Sequence, residues 1–139
     1  MIKGYLGVDV GSVSTNLVII DDQNKLLVDQ YLRTNGKPIQ TVQEGLHAIG
    51  QELPADVEIA GAATTGSARY LTSLIVGADI VKNEITAHAI ASSALAEDVK
   101  TIIEIGGQDS KIIILRDGVV TDFAMNTVCA AGTGSFLDQ

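Results

Sequence analysis

The sequence is poor in cysteine, in aromatic side chains and in positive charge. Its 139 residues include one cysteine, no tryptophan, and nine lysines or arginines against 17 acidic residues, for a net charge of −8. A lone cysteine cannot form an internal disulfide bond, so nothing indicates an oxidising compartment. The shortage of positive charge argues against nucleic acid or an anionic membrane as the main partner, because both require basic patches. A small anion held by backbone N–H groups is compatible with this composition.

Long hydrophobic runs are also lacking. Asp9 interrupts the first apolar stretch, which argues against a signal peptide. The longest apolar runs, residues 17–20 and 112–115, are far too short to cross a bilayer. The apolar fraction of 46% is nevertheless ordinary for a domain with its own core. We therefore expect a soluble, cytoplasmic protein.

The hydrophobic pattern predicts alternating strands and helices. Strands are expected over residues 4–10, 16–21, 26–33, 57–63, 101–105, 111–115 and 119–125. Helices are expected over residues 39–53, 68–76 and 84–97, the first ending before Pro54 and the last capped by Asn83.

The opening pattern of the chain returns near residue 101. Asp9 and Glu104 each lie inside an apolar strand that is followed by a glycine, a polar turn and an antiparallel return strand. This repeat predicts the duplication of a three-stranded unit. We expect residues 1–98 to form a complete first subdomain, in which the turn after Asp9 is phosphate loop 1. Residues 99–139 are expected to begin a matching second subdomain, in which the turn after Glu104 is phosphate loop 2. The sequence is thus expected to be a piece of a longer protein.

The two strand carboxylates, Asp9 and Glu104, are the candidate catalytic residues. A carboxylate in a covered sheet is costly to desolvate unless it is paired or associated with a metal. Each precedes a glycine turn whose N–H groups can face a phosphate, which leaves the acids for a hydrated Mg²⁺. The alternative is that both acids only satisfy backbone groups at strand ends. Their equivalent positions in a repeated unit favour the nucleotide interpretation.

The first turn, residues 11–15, carries three hydroxyl side chains beside its glycine, as a phosphate-binding loop would. The chain contains no P-loop pattern, and the glycine of this turn is followed by a strand, not a helix. Neither a P-loop nor a dinucleotide-binding fold is therefore predicted.

Cys129 follows the last predicted strand and precedes a glycine-rich turn at an expected helix start. That placement favours a thiolate able to bind a metal, whereas a buried, inert side chain is the commoner role of a lone cysteine. A metal role would need ligands from elsewhere. Lys111 could neutralise a phosphate or be a solvated strand residue, and Arg69 could reach a phosphate or only solvent.

Five segments together resemble a known family. They are GVDVGSVSTN (residues 7–16), TTGSARYL (64–71), NEITAHA (83–89), EIGGQDSK (104–111) and CAAGTGSFLDQ (129–139). In this order they resemble the ATP-dependent activators of 2-hydroxyacyl-CoA dehydratases, relatives of the ATPase subunits of benzoyl-CoA reductase. EIGGQDSK and CAAGTG are specific, whereas the first loop alone would fit any actin-like ATPase or sugar kinase.

The resemblance implies the α/β, ribonuclease-H-like fold of actin, hexokinase and the heat-shock chaperones. That fold has a mixed sheet with a three-stranded antiparallel meander, and ATP binds between two duplicated subdomains. The resemblance also implies a homodimer that shares one [4Fe–4S] cluster, with two cysteines from each subunit. ATP hydrolysis then drives an electron into a dehydratase or related reductase. The second cluster cysteine is expected beyond residue 139, and the 139 residues alone are expected to be inactive.

The resemblance also assigns individual positions. Asp9, Gly11, Ser12, Ser14 and Thr15 match the first phosphate loop. Glu104, Gly106, Gly107, Gln108 and Asp109 match the second, which Lys111 follows. Cys129 matches the first cluster cysteine, and Gly132, Thr133 and Gly134 are taken as cofactor-binding residues beside it.

The chain departs from the family pattern at a few positions. The family often has lysine at the position of Asn16, Tyr-Gly-Arg at residues 67–69 and Asn-Asp-Lys before Cys129. These changes concern phosphate contacts and the surroundings of the cluster, not the fold. A sugar- or acid-kinase-like phosphotransferase of the same fold and a non-catalytic scaffold module stay open as alternatives. Cys129 within CAAGTG favours the activator.

Overall fold

The computed structural model describes residues 1–126, whose strands and helices fall into two compact units. The first unit, Met1–Asn83, contains β1 (Ile2–Val10), β2 (Ser14–Asp21), β3 (Leu26–Arg33), α1 (Pro38–Glu52), β4 (Val57–Thr65), α2 (Arg69–Val76) and β5 (Ile80–Val81). The second unit begins at Glu84 and contains α3 (Glu84–Leu95), β6 (Thr101–Ile105), β7 (Ser110–Arg116) and β8 (Val119–Met125).

The first unit is built on a five-stranded mixed sheet in the order β3-β2-β1-β4-β5. Strands β1 to β3 form an antiparallel meander, and β4 joins the other edge of β1 in parallel. The core is formed by alternate strand residues, among them Val8, Val10 and Leu17, which pack against Val42 and Ile49 of α1. The same face of the sheet is covered by α2. The alternating strand residues, Asp9 among them, point to the other face of the sheet.

The second unit is a three-stranded antiparallel sheet in the order β6-β7-β8 with α3 packed on it. Ala89 of α3 is buried together with Ile113 and Leu115 of β7. The boundary between the compact units consequently lies between Asn83 and Glu84, whereas the sequence predicts a subdomain boundary after residue 98. Packing of α3 on the second sheet accounts for the difference. The predicted boundary after residue 98 between two functional subdomains stays a prediction.

The predicted α/β fold with its antiparallel meander is confirmed. Every predicted strand and helix within residues 1–126 is present, with ends that agree within a few residues. The two-residue strand β5 was not predicted, because so short an element carries no hydrophobic period. None of the helices formed by residues 1–126 combines the length with the apolar character that crossing a bilayer requires.

Candidate functional site

The first hairpin turn, which we call loop 1 (residues 11–15), is closed by a short hydrogen bond and anchored from β3. The Gly11 N–H donates to the Ser14 carbonyl oxygen at 2.9 Å. Thr34, just after β3, donates from its hydroxyl to the Gly11 carbonyl oxygen at 3.0 Å and from its N–H to the Val13 carbonyl oxygen at 2.9 Å. The Thr15 hydroxyl lies 3.0 Å from that of Thr34. Loop 1 is therefore held in one shape by groups of its own unit.

The hydroxyl side chains of loop 1 divide into two kinds. Thr15 is fully buried, and its hydroxyl is bonded inside the protein, so it supports the loop from below. Ser12 is exposed and Ser14 is partly exposed. These two serines, with the backbone of Gly11, form the part of loop 1 that an anion can approach.

The end of β4 lies against Asp9. In the parallel pairing of β1 with β4, Asp9 stands opposite Thr65. Gly66 follows at a φ of +94°, and a Cβ built on it would overlap the Val10 carbonyl oxygen and stand 2.6 Å from Asp9 Oδ1. The Ala68 N–H donates to the same Val10 carbonyl oxygen at 3.1 Å. The segment after β4 thus packs directly on the Asp9 carboxylate.

Neighbouring side chains fix this segment. The Thr64 hydroxyl donates to the Arg69 carbonyl oxygen at 2.9 Å. The Arg69 guanidinium donates to the Gly66 carbonyl oxygen at 3.1 Å and lies 4.9 Å from the centre of the Tyr70 ring. Arg69 therefore holds the turn that carries Gly66, a role that neither of the two sequence interpretations included.

The second hairpin turn, loop 2 (residues 106–109), has the same closing bond as loop 1. The Gly106 N–H donates to the Asp109 carbonyl oxygen at 2.8 Å. The Ser110 N–H donates to Asn126 Oδ1 at 2.8 Å, and the Asn126 N–H donates to the Ser110 carbonyl oxygen at 3.1 Å. Asn126 follows β8, the third strand of its sheet, and anchors the end of loop 2. Thr34 follows β3, the third strand of the first meander, and anchors loop 1 in the same way.

Lys111 brings three carboxylates together beside loop 2. Its Nζ lies 2.8 Å from Glu84 Oε2, 2.9 Å from Asp109 Oδ1 and 3.3 Å from Glu104 Oε2, and the residue is 4% exposed. Burial by itself lowers the pKa of Lys111, but the hydrogen bonds to Glu84 and Asp109 and the charges of Glu84 and Glu104 outweigh it and raise that pKa well above its usual value. The ammonium is therefore charged at neutral pH.

Glu84 of α3 was not predicted as a site residue. The sequence signal existed, since NEITAHA was singled out, but no role followed from it. The three carboxylates use the three hydrogens of the Lys111 ammonium. The phosphate contact that the sequence suggested for Lys111 stays a prediction.

Several predicted site residues lie outside the described residues. Cys129, Gly132, Thr133 and Gly134 fall beyond residue 126. Within residues 1–126, no group of three or more His, Cys, Asp or Glu side chains is arranged to hold a metal ion. A hydrated Mg²⁺ needs only one or two carboxylates besides its water molecules and phosphate ligands, so the carboxylate of Asp9 in the first unit, like that of Glu104 in the second, has the chemistry that the ion requires.

The fold is that of the actin-like ATPases. The sequence profile of the BadF/BadG/BcrA/BcrD ATPase family matches residues 6–139. The chain belongs to this family, and the resemblance stated from the motifs is confirmed.

Similar proteins carry related names. The chain is 36% identical over 139 residues to the (R)-2-hydroxyglutaryl-CoA dehydratase activating ATPase of Acidaminococcus fermentans, a match that covers 96% of this chain and 50% of that protein. The crystal structure of component A of the same dehydratase superposes with a TM-score of 0.83 at 33% identity, over 97% of this chain and 51% of that one.

A second solved structure is nearly as similar. The activator of the 2-hydroxyisocaproyl-CoA dehydratase from Clostridium difficile, with bound ADPNP, has a TM-score of 0.81 at 32% identity and covers 97% of this chain and 50% of that one. The chain spans about half the length of the curated relatives it matches.

Proposed function

We propose that this chain is part of an ATP-hydrolysing activator of a 2-hydroxyacyl-CoA dehydratase or a related reductase. The observation that carries the proposal is the repeated hairpin. In each copy a glycine N–H closes the turn on a carbonyl oxygen three residues later, at 2.9 Å in loop 1 and 2.8 Å in loop 2, and an acidic residue lies two positions before the glycine. The activator names of the relatives and the ADPNP of one solved structure support the same assignment.

The residues of the two loops have distinct tasks in this proposal. Gly11, Ser12 and Ser14 of loop 1 and the segment from Gly106 to Asp109 of loop 2 provide backbone and side-chain groups for phosphate oxygens. Asp9 and Glu104 would each offer a carboxylate to a hydrated Mg²⁺, and the ion would supply positive charge to neutralise the phosphates. Fixed hairpins keep these groups in place before the nucleotide arrives, so little reorganisation is needed during hydrolysis.

The finer part of the proposal concerns electron transfer. Cys129 is the proposed ligand from this chain to a [4Fe–4S] cluster that supplies the electron when bound. Such a cluster is usually held by four thiolates, and this sequence has one cysteine, so the other ligands come from outside it. A homodimer in the cytoplasm, as the resemblance implies, is proposed as the setting.

The test is Asp9→Asn in the intact protein. Loss of the carboxylate charge should lower the rate of ATP hydrolysis about 100-fold or more, the scale of one charge-stabilising group. Phosphate release and activation of a purified 2-hydroxyacyl-CoA dehydratase are both measured. The matched control is Asp29→Asn on β3, an exposed position that should leave both rates unchanged.

Two outcomes would count against the proposal. An Asp9→Asn protein that unfolds supports a purely structural role for the acid at a strand end. Phosphate transfer to a sugar or carboxylic acid, without activation of the dehydratase, supports the kinase-like alternative.

A further inference from the structure

Two adjacent threonines at the end of β4 differ in how their hydroxyls are satisfied. The Thr64 hydroxyl donates to the Arg69 carbonyl oxygen at 2.9 Å, and the residue is 2% exposed. The Thr65 hydroxyl oxygen is also buried, yet it has no hydrogen-bond partner among residues 1–126. Buried polar groups are nearly always hydrogen-bonded, so an unpartnered hydroxyl calls for a specific explanation.

The sheet register shows which way each threonine points. In the parallel pairing of β1 with β4, Val8 stands opposite Thr64 and Asp9 stands opposite Thr65. Paired residues project to the same face of a sheet, and successive residues alternate between faces. Thr64 therefore shares the core face with the buried Val8, and Thr65 lies on the face of the Asp9 carboxylate.

Gly66, which follows Thr65, packs tightly against Asp9. A Cβ built on Gly66 would stand 2.6 Å from Asp9 Oδ1, so any other residue would intrude on the carboxylate. The unpartnered Thr65 hydroxyl thus lies at the start of a turn that packs on Asp9, on the face of the sheet that carries the carboxylate.

We propose that Thr65 is a ligand-binding residue of the loop 1 site. Its hydroxyl forms a hydrogen bond with an oxygen atom of the bound Mg²⁺-nucleotide beside Asp9, either a terminal phosphate oxygen or a water molecule on the metal ion. This inference rests on the proposed function and adds to it a residue outside both hairpin loops.

The first experiment measures the stability of the nucleotide-free intact protein. Thr64→Val removes a satisfied hydroxyl and leaves the Arg69 carbonyl oxygen without that donor, so its denaturation midpoint should fall. Thr65→Val replaces an unpartnered hydroxyl by a methyl group of nearly the same size, so its midpoint should equal or exceed that of the wild type. A fall for Thr65→Val as large as that for Thr64→Val means that the Thr65 hydroxyl has a structural partner, and overturns the proposal.

The second experiment measures nucleotide affinity by calorimetry, with Mg²⁺-ATP and Mg²⁺-ADP. Thr65→Val should weaken Mg²⁺-ATP binding about tenfold, because a hydrogen bond to a charged group is lost, and Thr65→Ser should restore it. Thr121→Val, a change at an exposed threonine of β8, should bind as the wild type does. A loss seen with ATP alone identifies the terminal phosphate as the partner, whereas a loss with both nucleotides identifies the water on the metal ion.

Failure of this inference can be told apart from failure of the proposed function. If the wild type binds Mg²⁺-ATP and Thr65→Val binds it equally well, Thr65 has no ligand role and only the present inference is wrong. If the wild type binds no Mg²⁺-ATP, the proposed function is wrong and the role of Thr65 is rejected with it.

Discussion

Gly66 is a position where the backbone requires glycine. Its φ of +94° is rarely adopted by other residues, and a Cβ there would overlap the Val10 carbonyl oxygen. Gly66→Ala should therefore lower the free energy of unfolding by about 3 kcal/mol, the upper end for a strained backbone position with added overlap. Urea denaturation followed by circular dichroism measures the change.

Gly50 in α1 provides the matched control. A Cβ on Gly50 meets no atom within 4 Å, and the position is helical. Gly50→Ala should raise the free energy of unfolding by about 0.5–1 kcal/mol, because alanine has the better helix propensity. Equal stability of the two variants would mean that the turn at Gly66 does not pack against the Val10 carbonyl oxygen as closely as described.

The candidate site residues that the sequence predicts are those whose signal is local. Asp9 and Glu104 are recognisable because each acid lies two residues before its glycine in the same short segment. Thr65 and Glu84 were missed, because their neighbours are distant in the sequence. The position of Thr65 depends on the register of β4 against β1, and that of Glu84 on the packing of α3. The hydrophobic pattern of a single segment predicts neither the register of β4 against β1 nor the contact of Glu84 with Lys111.

At the scale of elements, the two hairpins share a design but differ in charge. The antiparallel register places Asn16 opposite Asp9 and Lys111 opposite Glu104, so the same position holds a neutral residue in one copy and a cation in the other. The first hairpin therefore lacks the cation that the second hairpin has at this position. Lys111 of β7 is consequently the counter-charge for Glu104 of β6 and Asp109 of loop 2.

Replacing that counter-charge should destabilise the second unit. Lys111→Met keeps an unbranched apolar side chain of similar shape, one atom shorter, and leaves Glu84, Glu104 and Asp109 without a shared cation. Breaking a fully buried ion pair costs about 3–5 kcal/mol, and the partly exposed acids reduce this to about 2 kcal/mol. Amide hydrogen exchange of β6 and β7 by mass spectrometry reports the loss for this unit alone.

Lys100→Met is the control for that measurement, because Lys100 is an exposed residue of the same unit. It should leave the exchange of β6 and β7 unchanged. If the two variants exchange at the same rate, the three ion pairs of Lys111 contribute nothing measurable to stability.

Element prediction succeeded where hydrophobic period and turn chemistry agree. The helix α1 has apolar residues at helical spacing, a proline in its first turn and Pro54 after its end, and its bounds were predicted closely. The helix α3 is rich in alanine and has apolar residues around much of its circumference. Its existence was predictable, but its partner sheet was not, because no single apolar stripe indicates which surface it covers.

At the scale of the whole molecule, the proposed electron transfer depends on Cys129. The intact protein, purified without oxygen, should contain iron and sulfide, and Cys129→Ser should lose nearly all of both. Nucleotide affinity serves as the internal control and should not change. Full iron and sulfide content in Cys129→Ser would assign the cysteine to packing and would remove the electron-transfer part of the proposal.

The parallel pairing of β1 with β4 also bears on the order in which the first unit folds. Strands β1 to β3 are joined by short turns and make local contacts, which form quickly. β4 can join β1 only after the chain through α1 has closed a long loop, which carries an entropic cost. We therefore expect Asp9 to gain Thr65 and Gly66 as neighbours late in folding. Local opening at β4 would then dismantle the site while the meander that carries Asp9 is still intact.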